Sequence, residues 1–173
     1  LVGFGAIGRE VAYIASALGM GVLAHDPYVS GAPVGVTLTD LDTLLANSDF
    51  IATLAPLNSE TTGMLDAQRL ARMKPGSFLV MASGVSITDQ IALLAALRSG
   101  ALRGAAVDVF DTHPVAPDNP LLTAENLLLT PHIAGATAET IDRHSAMVAG
   151  DLVRFLDGHT PVNAVNPETL ADG

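Results

Sequence analysis

Leu1-Val2-Gly3-Phe4-Gly5-Ala6-Ile7-Gly8-Arg9-Glu10-Val11-Ala12 opens the chain. It reads as the end of a strand, then G-x-G-x-x-G, then an amphipathic helix. Gly3 permits a tight turn out of the strand. Gly5, with no Cβ, lets a pyrophosphate approach the backbone. Gly8 lets the helix pack closely on the sheet. The helix start, through Ala6 and Ile7, offers free N–H groups and a positive dipole end to phosphates. A glycine turn before a helix also occurs with no ligand, so the next strand decides. Gly21-Val22-Leu23-Ala24-His25-Asp26 is apolar and ends in an acid 18 positions beyond Gly8. The dinucleotide fingerprint places Asp or Glu roughly 20 residues on, where it holds the ribose hydroxyls. The spacing therefore predicts a dinucleotide site.

The 173 residues suffice for one domain and are too few for two ordinary ones. The chain is 49% apolar but only 4% aromatic, so the core must be built from Ala, Leu, Val and Ile. A net charge of −10 argues against nucleic acid or an anionic membrane as partner. There is no cysteine, hence no disulfide framework and no thiolate metal site. That absence fits a reducing compartment, and a cytoplasmic location is the expectation. No apolar run reaches the roughly 18 residues of a membrane span, and no signal peptide is visible. Leu1-Val2 is short for a buried strand of about five or six residues, and there is no initiator Met. A fragment cut inside its first strand is expected.

Apolar positions Ile7, Val11, Ile14, Ala15 and Leu18 recur at helical spacing, and Gly19 ends that helix. Thr39 reads as the N-cap of a helix over 40–46, with Leu41, Leu44 and Leu45 inward. Strands are expected over 49–54, 77–81, 104–109 and 126–130. Further helices are expected over 66–73, over 89–98 capped by Thr88, and over 137–156, ending at Gly158. Strands alternate with helices, and the strand runs are continuously apolar, as when both faces are covered. This is the pattern of a doubly wound, parallel α/β sheet of the Rossmann type. Residues 1–157 are expected to form the dinucleotide-binding domain, and 158–173 a tail.

Ligands of such sheets sit beyond the C-terminal strand ends. There lie Gly3 to Gly8, Asp26 and Pro27, Ala55, Pro56 and Asn58, Ala82 to Ser86, Asp108 to His113, and Pro131 to Gly135. Asp26 would accept hydrogen bonds from both ribose hydroxyls and repel a 2′-phosphate. No Arg follows it in Pro27-Tyr28-Val29-Ser30, so NAD rather than NADP is expected. His25 borders the ribose acid, and a solvated strand end suits it as well. His144 and His159 suit a helix surface and a loop. No His and carboxylate cluster at ligand spacing, so no metal is assigned.

The motifs together resemble the cofactor-binding domain of the D-isomer-specific 2-hydroxyacid dehydrogenases. The resemblance rests on Gly3 to Ala12, His25-Asp26-Pro27-Tyr28, Met73-Lys74-Pro75-Gly76, Gly104-Ala105-Ala106-Val107-Asp108-Val109-Phe110, Asn119-Pro120-Leu121 and Leu129-Thr130-Pro131-His132-Ile133-Ala134-Gly135. It runs from residue 1 to about Asn166. It implies hydride transfer between C2 of a D-2-hydroxy acid and the nicotinamide of NAD. It also implies a homodimer, and a flavodoxin-like substrate domain that is mostly absent from these residues. By resemblance the cofactor contacts are Gly3, Gly5, Ala6, Ile7, Gly8, Asp26, Pro27, Ala55, Pro56, Asn58, Ala82, Ser83, Gly84, Asp108, His132 and Ala134, with Asp108 near the nicotinamide.

Three residues carry the family's chemistry: a His as acid/base, a Glu that orients and charges it, and an Arg that clamps the carboxylate. The His matches His132. The Arg position holds Gly84, in Met81-Ala82-Ser83-Gly84-Val85-Ser86. The Glu position holds His113, before Pro114. Arg98 and Arg103 flank a helix end that faces away from the ligand edge and replace neither. Two readings follow: an NAD-dependent 2-hydroxyacid dehydrogenase, or an NAD-binding sensor or interaction protein of the same fold with impaired catalysis. In a third, groups from outside this chain segment complete the site.

Overall fold

The computed structural model describes residues 1–170. All strand pairs are parallel. β1 (Val22–Ala24) pairs with β2 (Val36–Leu38), and β3 (Phe50–Thr53), β4 (Ser77–Met81), β5 (Leu102–Val107) and β6 (Leu127–Leu129) follow in that spatial order. Val2 joins the two sets by bridging to His25 on one side and Thr53 on the other. Its N–H donates to the Ala52 carbonyl at 2.9 Å, and the Gly3 N–H donates to that of His25 at 2.8 Å. The chain therefore starts at the centre of a sheet ordered β2–β1–Val2–β3–β4–β5–β6. Strand order reverses at Val2, and the carboxyl ends part there into the crevice where such sheets bind ligands.

The helices are α1 (Ala6–Ala17), α2 (Leu41–Asn47), α3 (Ala67–Leu70), α4 (Gln90–Ser99) and α5 (Ala138–Leu156). Leu41, Leu44 and Leu45 of α2, Leu70 of α3, and Leu93, Leu94 and Leu97 of α4 are buried against Ile51, Leu79, Met81, Leu102 and Val107. A smaller cluster of Phe4, Ala12, Val22 and Ala24 seats α1. Because side chains alternate along a strand, Phe50 and Val80 point away from the α2–α4 face. They are exposed, as is Leu128 at 65%.

Two local expectations are corrected. The N-cap of α2 is Asp40, not Thr39: the Asp40 carboxylate accepts the Thr43 N–H at 2.8 Å. The N-cap of α4 is Asp89, not Thr88: its carboxylate accepts from Ile91 and Ala92, while the buried Thr88 hydroxyl finds no partner among the described residues. In both Thr-Asp pairs the carboxylate is the better acceptor for helix N–H groups. The face that α1 turns to the sheet is Gly8 and Ala12, whereas Ile7, Ile14 and Leu18 are exposed. The helix comes too close for larger residues: a Cβ on Gly8 would stand 2.5 Å from the Gly3 carbonyl oxygen.

The chain divides into two compact units, Leu1–His132 and Ile133–Gly173. In the second, Thr137 caps α5 by accepting the Thr140 N–H. Asp151 accepts N–H groups from Val162 and Asn163, fastening the following segment to the helix. Those N–H groups hold its carboxyl below the usual carboxylate range.

Candidate active site

The turn from Gly3 to Gly8 gives each glycine a different reason. Gly3 has φ +98°, and a Cβ there would stand 2.5 Å from the Ala55 N, because the two diverging loops abut at this point. Gly8 is required by helix packing. Gly5 is required by nothing inside the chain: it is exposed, its φ of −73° suits any residue, and no atom lies within 4 Å of a Cβ placed on it. Gly5 is also the N-cap of α1 and makes no side-chain hydrogen bond. α2, α3, α4 and α5 are capped by Asp40, Asp66, Asp89 and Thr137. Among the described α-helices, α1 alone leaves its first N–H groups without a capping side chain, at the mouth of the crevice.

Asp26 stands beside this turn. One carboxylate oxygen accepts the Phe4 N–H at 2.8 Å and the other the Tyr28 N–H at 3.0 Å. The acid thus fixes the glycine turn, and each oxygen keeps a lone pair for a further donor. Pro27 is exposed beyond it. His25 is part-buried, with Nδ1 3.1 Å from the Thr39 carbonyl oxygen, which ties its ring to the chain. His144 and His159 are exposed. The Tyr28 hydroxyl donates to Glu60 at 2.5 Å, linking the loop after β1 to the loop after β3. Glu60 raises the phenol's pKa through that bond and through its charge. This link joins residues far apart in sequence and leaves no trace in local pattern.

In the loop after β3, the Ala55 N–H donates to Val2, and Pro56 is exposed. The Asn58 side chain accepts from the N–H groups of Glu60 and Thr61, so it shapes its own turn. After β4, Ala82 is exposed and the Ser83 hydroxyl donates to the Thr53 carbonyl at 3.0 Å. Gly84 precedes a 3₁₀ turn, Val85–Ile87. The Val85 N–H donates to the Val109 carbonyl, binding this loop to the one after β5.

The exits of β5 and β6 meet. Buried Asp108 accepts the Thr130 hydroxyl at 2.5 Å, and its carbonyl accepts the His132 N–H at 2.9 Å. His132 has φ +58°, a left-handed conformation costing a non-glycine residue about 1–3 kcal/mol and concentrated at functional sites. Its exposed ring lies 5.4 Å, centroid to centroid, from that of His113, tilted by 36°. Asp111 accepts the Ser86 hydroxyl at 2.6 Å. His132, His113 and Asp108 are therefore together at one edge. Ala134 belongs to the second unit, where it is exposed.

The sequence profile of the D-isomer specific 2-hydroxyacid dehydrogenase NAD binding domain matches residues 1–134. The chain belongs to this family. It is 41% identical over 169 residues to the D-3-phosphoglycerate dehydrogenase of Archaeoglobus fulgidus, covering 96% of this chain and 32% of that one. It is 41% identical over 173 residues to the glyoxylate reductase of Korarchaeum cryptofilum, covering 98% and 52%. Among solved structures, an acyclic imino acid reductase in complex with NADPH and D-Arg superposes with a TM-score of 0.87 at 29% identity, covering 95% of this chain and 52% of that one. The chain thus spans about a third to a half of the length of the curated relatives it matches.

For a 2-hydroxyacid dehydrogenase domain, the residue that sequence reasoning missed is Leu57. A Cβ on Gly84 would meet Leu57 Cδ2 at 2.8 Å, so the Leu57 side chain lies over Gly84, the residue that by resemblance corresponds to Arg. Only the fold brings these two loops together.

Proposed function

We propose that the chain is the cofactor domain of an NAD-dependent dehydrogenase acting on a D-2-hydroxy acid or its 2-keto form. The observation that carries the reading is the turn at Gly5: an uncapped helix start, a glycine with no internal reason, and Asp26 fixed alongside. Phosphates fit the N–H groups of α1, and the ribose hydroxyls fit Asp26. A nicotinamide cofactor held there would supply hydride-transfer chemistry at substrate C2. His132 gives its proton to the carbonyl oxygen in reduction and takes it back in oxidation. The strained backbone that presents its ring at the exits of β5 and β6 supports this role. Asp26 also supports NAD over NADP. A cytoplasmic homodimer completes the proposal on resemblance and composition.

A second reading is an NAD-binding protein of the same fold with weak catalysis. Gly84 under Leu57 and His113 beside His132 favour it, since neither reproduces a guanidinium clamp or a carboxylate partner. Both readings are tested by following NADH consumption by the full-length protein with a panel of small 2-keto acids. The first predicts turnover that His132→Asn lowers. NADH binding with no turnover of any member supports the second, and absence of NADH binding contradicts both.

A further inference from the structure

Segments 55–58, 82–86, 108–113 and 130–132, which form the strand exits around His132, contain no Lys or Arg. The cations of this unit are placed elsewhere, Arg98 in the last turn of α4. Arg9 lies over the Phe4 ring, Arg69 and Arg72 pair with Asp42, Lys74 pairs with Asp49, and Arg103 lies over Phe78. Two imidazoles, 5.4 Å apart and both exposed, are what these segments offer that can become positive. The acids on the same exits are engaged: Asp108 by Thr130, Asp111 by Ser86 and Gln90.

A 2-keto acid presents its carboxylate and its carbonyl oxygen on adjacent carbons. Two neighbouring imidazoles can therefore each address one of them. We propose that His113 is the cationic anchor of the substrate's carboxylate, leaving His132 to exchange the proton at the carbonyl oxygen. The inference rests on the dehydrogenase reading above. It assigns His113 a positioning and specificity role and makes anion binding dependent on pH, which a guanidinium clamp would not be.

The test is titration of the NADH-saturated full-length protein with oxamate, a non-reducible carboxylate analogue, from about pH 5.5 to 8.5. Binding should be tightest at the acid end. His113→Gln should weaken it there by roughly tenfold or more, the scale of a charge-assisted hydrogen bond. His113→Lys should restore it to within a few-fold and hold more of it at the alkaline end, because the ammonium stays charged. Oxamate binding in His113→Gln within twofold of the parent overturns the proposal. So does a His113→Lys variant as weak as His113→Gln, which would make His113 a packing partner of His132. NADH affinity, read in the same titrations, reports folding of each variant. Failure of the parent to bind NADH would overturn the dehydrogenase reading itself, and this inference with it.

Discussion

Leu57 Cδ2 stands 2.8 Å from where a Cβ of Gly84 would be, so an apolar side chain lies against the position that by resemblance corresponds to the family's Arg. Leu57 is 43% exposed and the closest atom is the far end of its side chain, so a change of rotamer can clear Cδ2, while its Cβ at 3.2 Å must give by a few tenths of an ångström. Gly84→Arg should therefore fold. It should lower KM for a 2-keto acid by about 10–100-fold, the worth of a charged hydrogen-bonded pair.

His113→Glu alone should raise KM, because it removes the proposed anchor and sets a carboxylate against the substrate's own. Combined with Gly84→Arg it should raise kcat/KM above either single variant, since the Glu can then charge His132 while the Arg holds the substrate. Steady-state kinetics on the four proteins measures this coupling. Simple additivity would separate the two positions.

Gly5→Ala and Gly8→Ala should fail differently. A methyl on Gly8 meets the Gly3 carbonyl oxygen at 2.5 Å, so that variant should unfold more easily in urea. A methyl on Gly5 meets nothing within 4 Å, so Gly5→Ala should keep its unfolding midpoint and lose affinity for NADH. Unchanged NADH affinity in Gly5→Ala would remove the reason given for this glycine.

His132→Asn should leave NADH binding within a few-fold and lower turnover by roughly 10²–10⁴, the contribution of a positioned acid/base. Asn is the suitable replacement because it tolerates the left-handed backbone at φ +58°. Unchanged turnover would make His132 structural.

The carboxyl of Asp40 is held below its usual range, first by the Thr43 N–H. Its folded pKa is lower than its unfolded one, so its stabilisation is complete above the unfolded value and disappears as pH falls through the folded value. Asp40→Ala should lower the thermal midpoint at neutral pH by a few degrees. The difference from the parent should close below about pH 4.

Much of the fold was legible because its signals are local. Glycine spacing, the acid at Asp26 and the apolar run Ser77–Met81 each report on neighbours in sequence. The caps at Asp40 and Asp89 were misplaced by one residue because Thr and Asp both cap, and backbone angles choose between them. The exposure of Ile7, Ile14 and Leu18 was not legible, because close approach seats α1 on Gly8 and Ala12 instead of the larger stripe. His132 was legible as a strand-end residue. The contacts His113–His132, Leu57–Gly84 and Tyr28–Glu60 were not, since loops from separate strands meet only when the sheet forms.

The account turns on the crevice between Gly5 and Asp26 holding a dinucleotide with a free ribose 2′-hydroxyl. The measurement is paired titration of the full-length protein with NADH and NADPH. NADH should bind tighter by roughly tenfold or more, the scale set by a charged hydrogen bond gained and a phosphate repelled. Asp26→Ser should narrow the gap. Equal or tighter binding of NADPH would contradict the role given to Asp26.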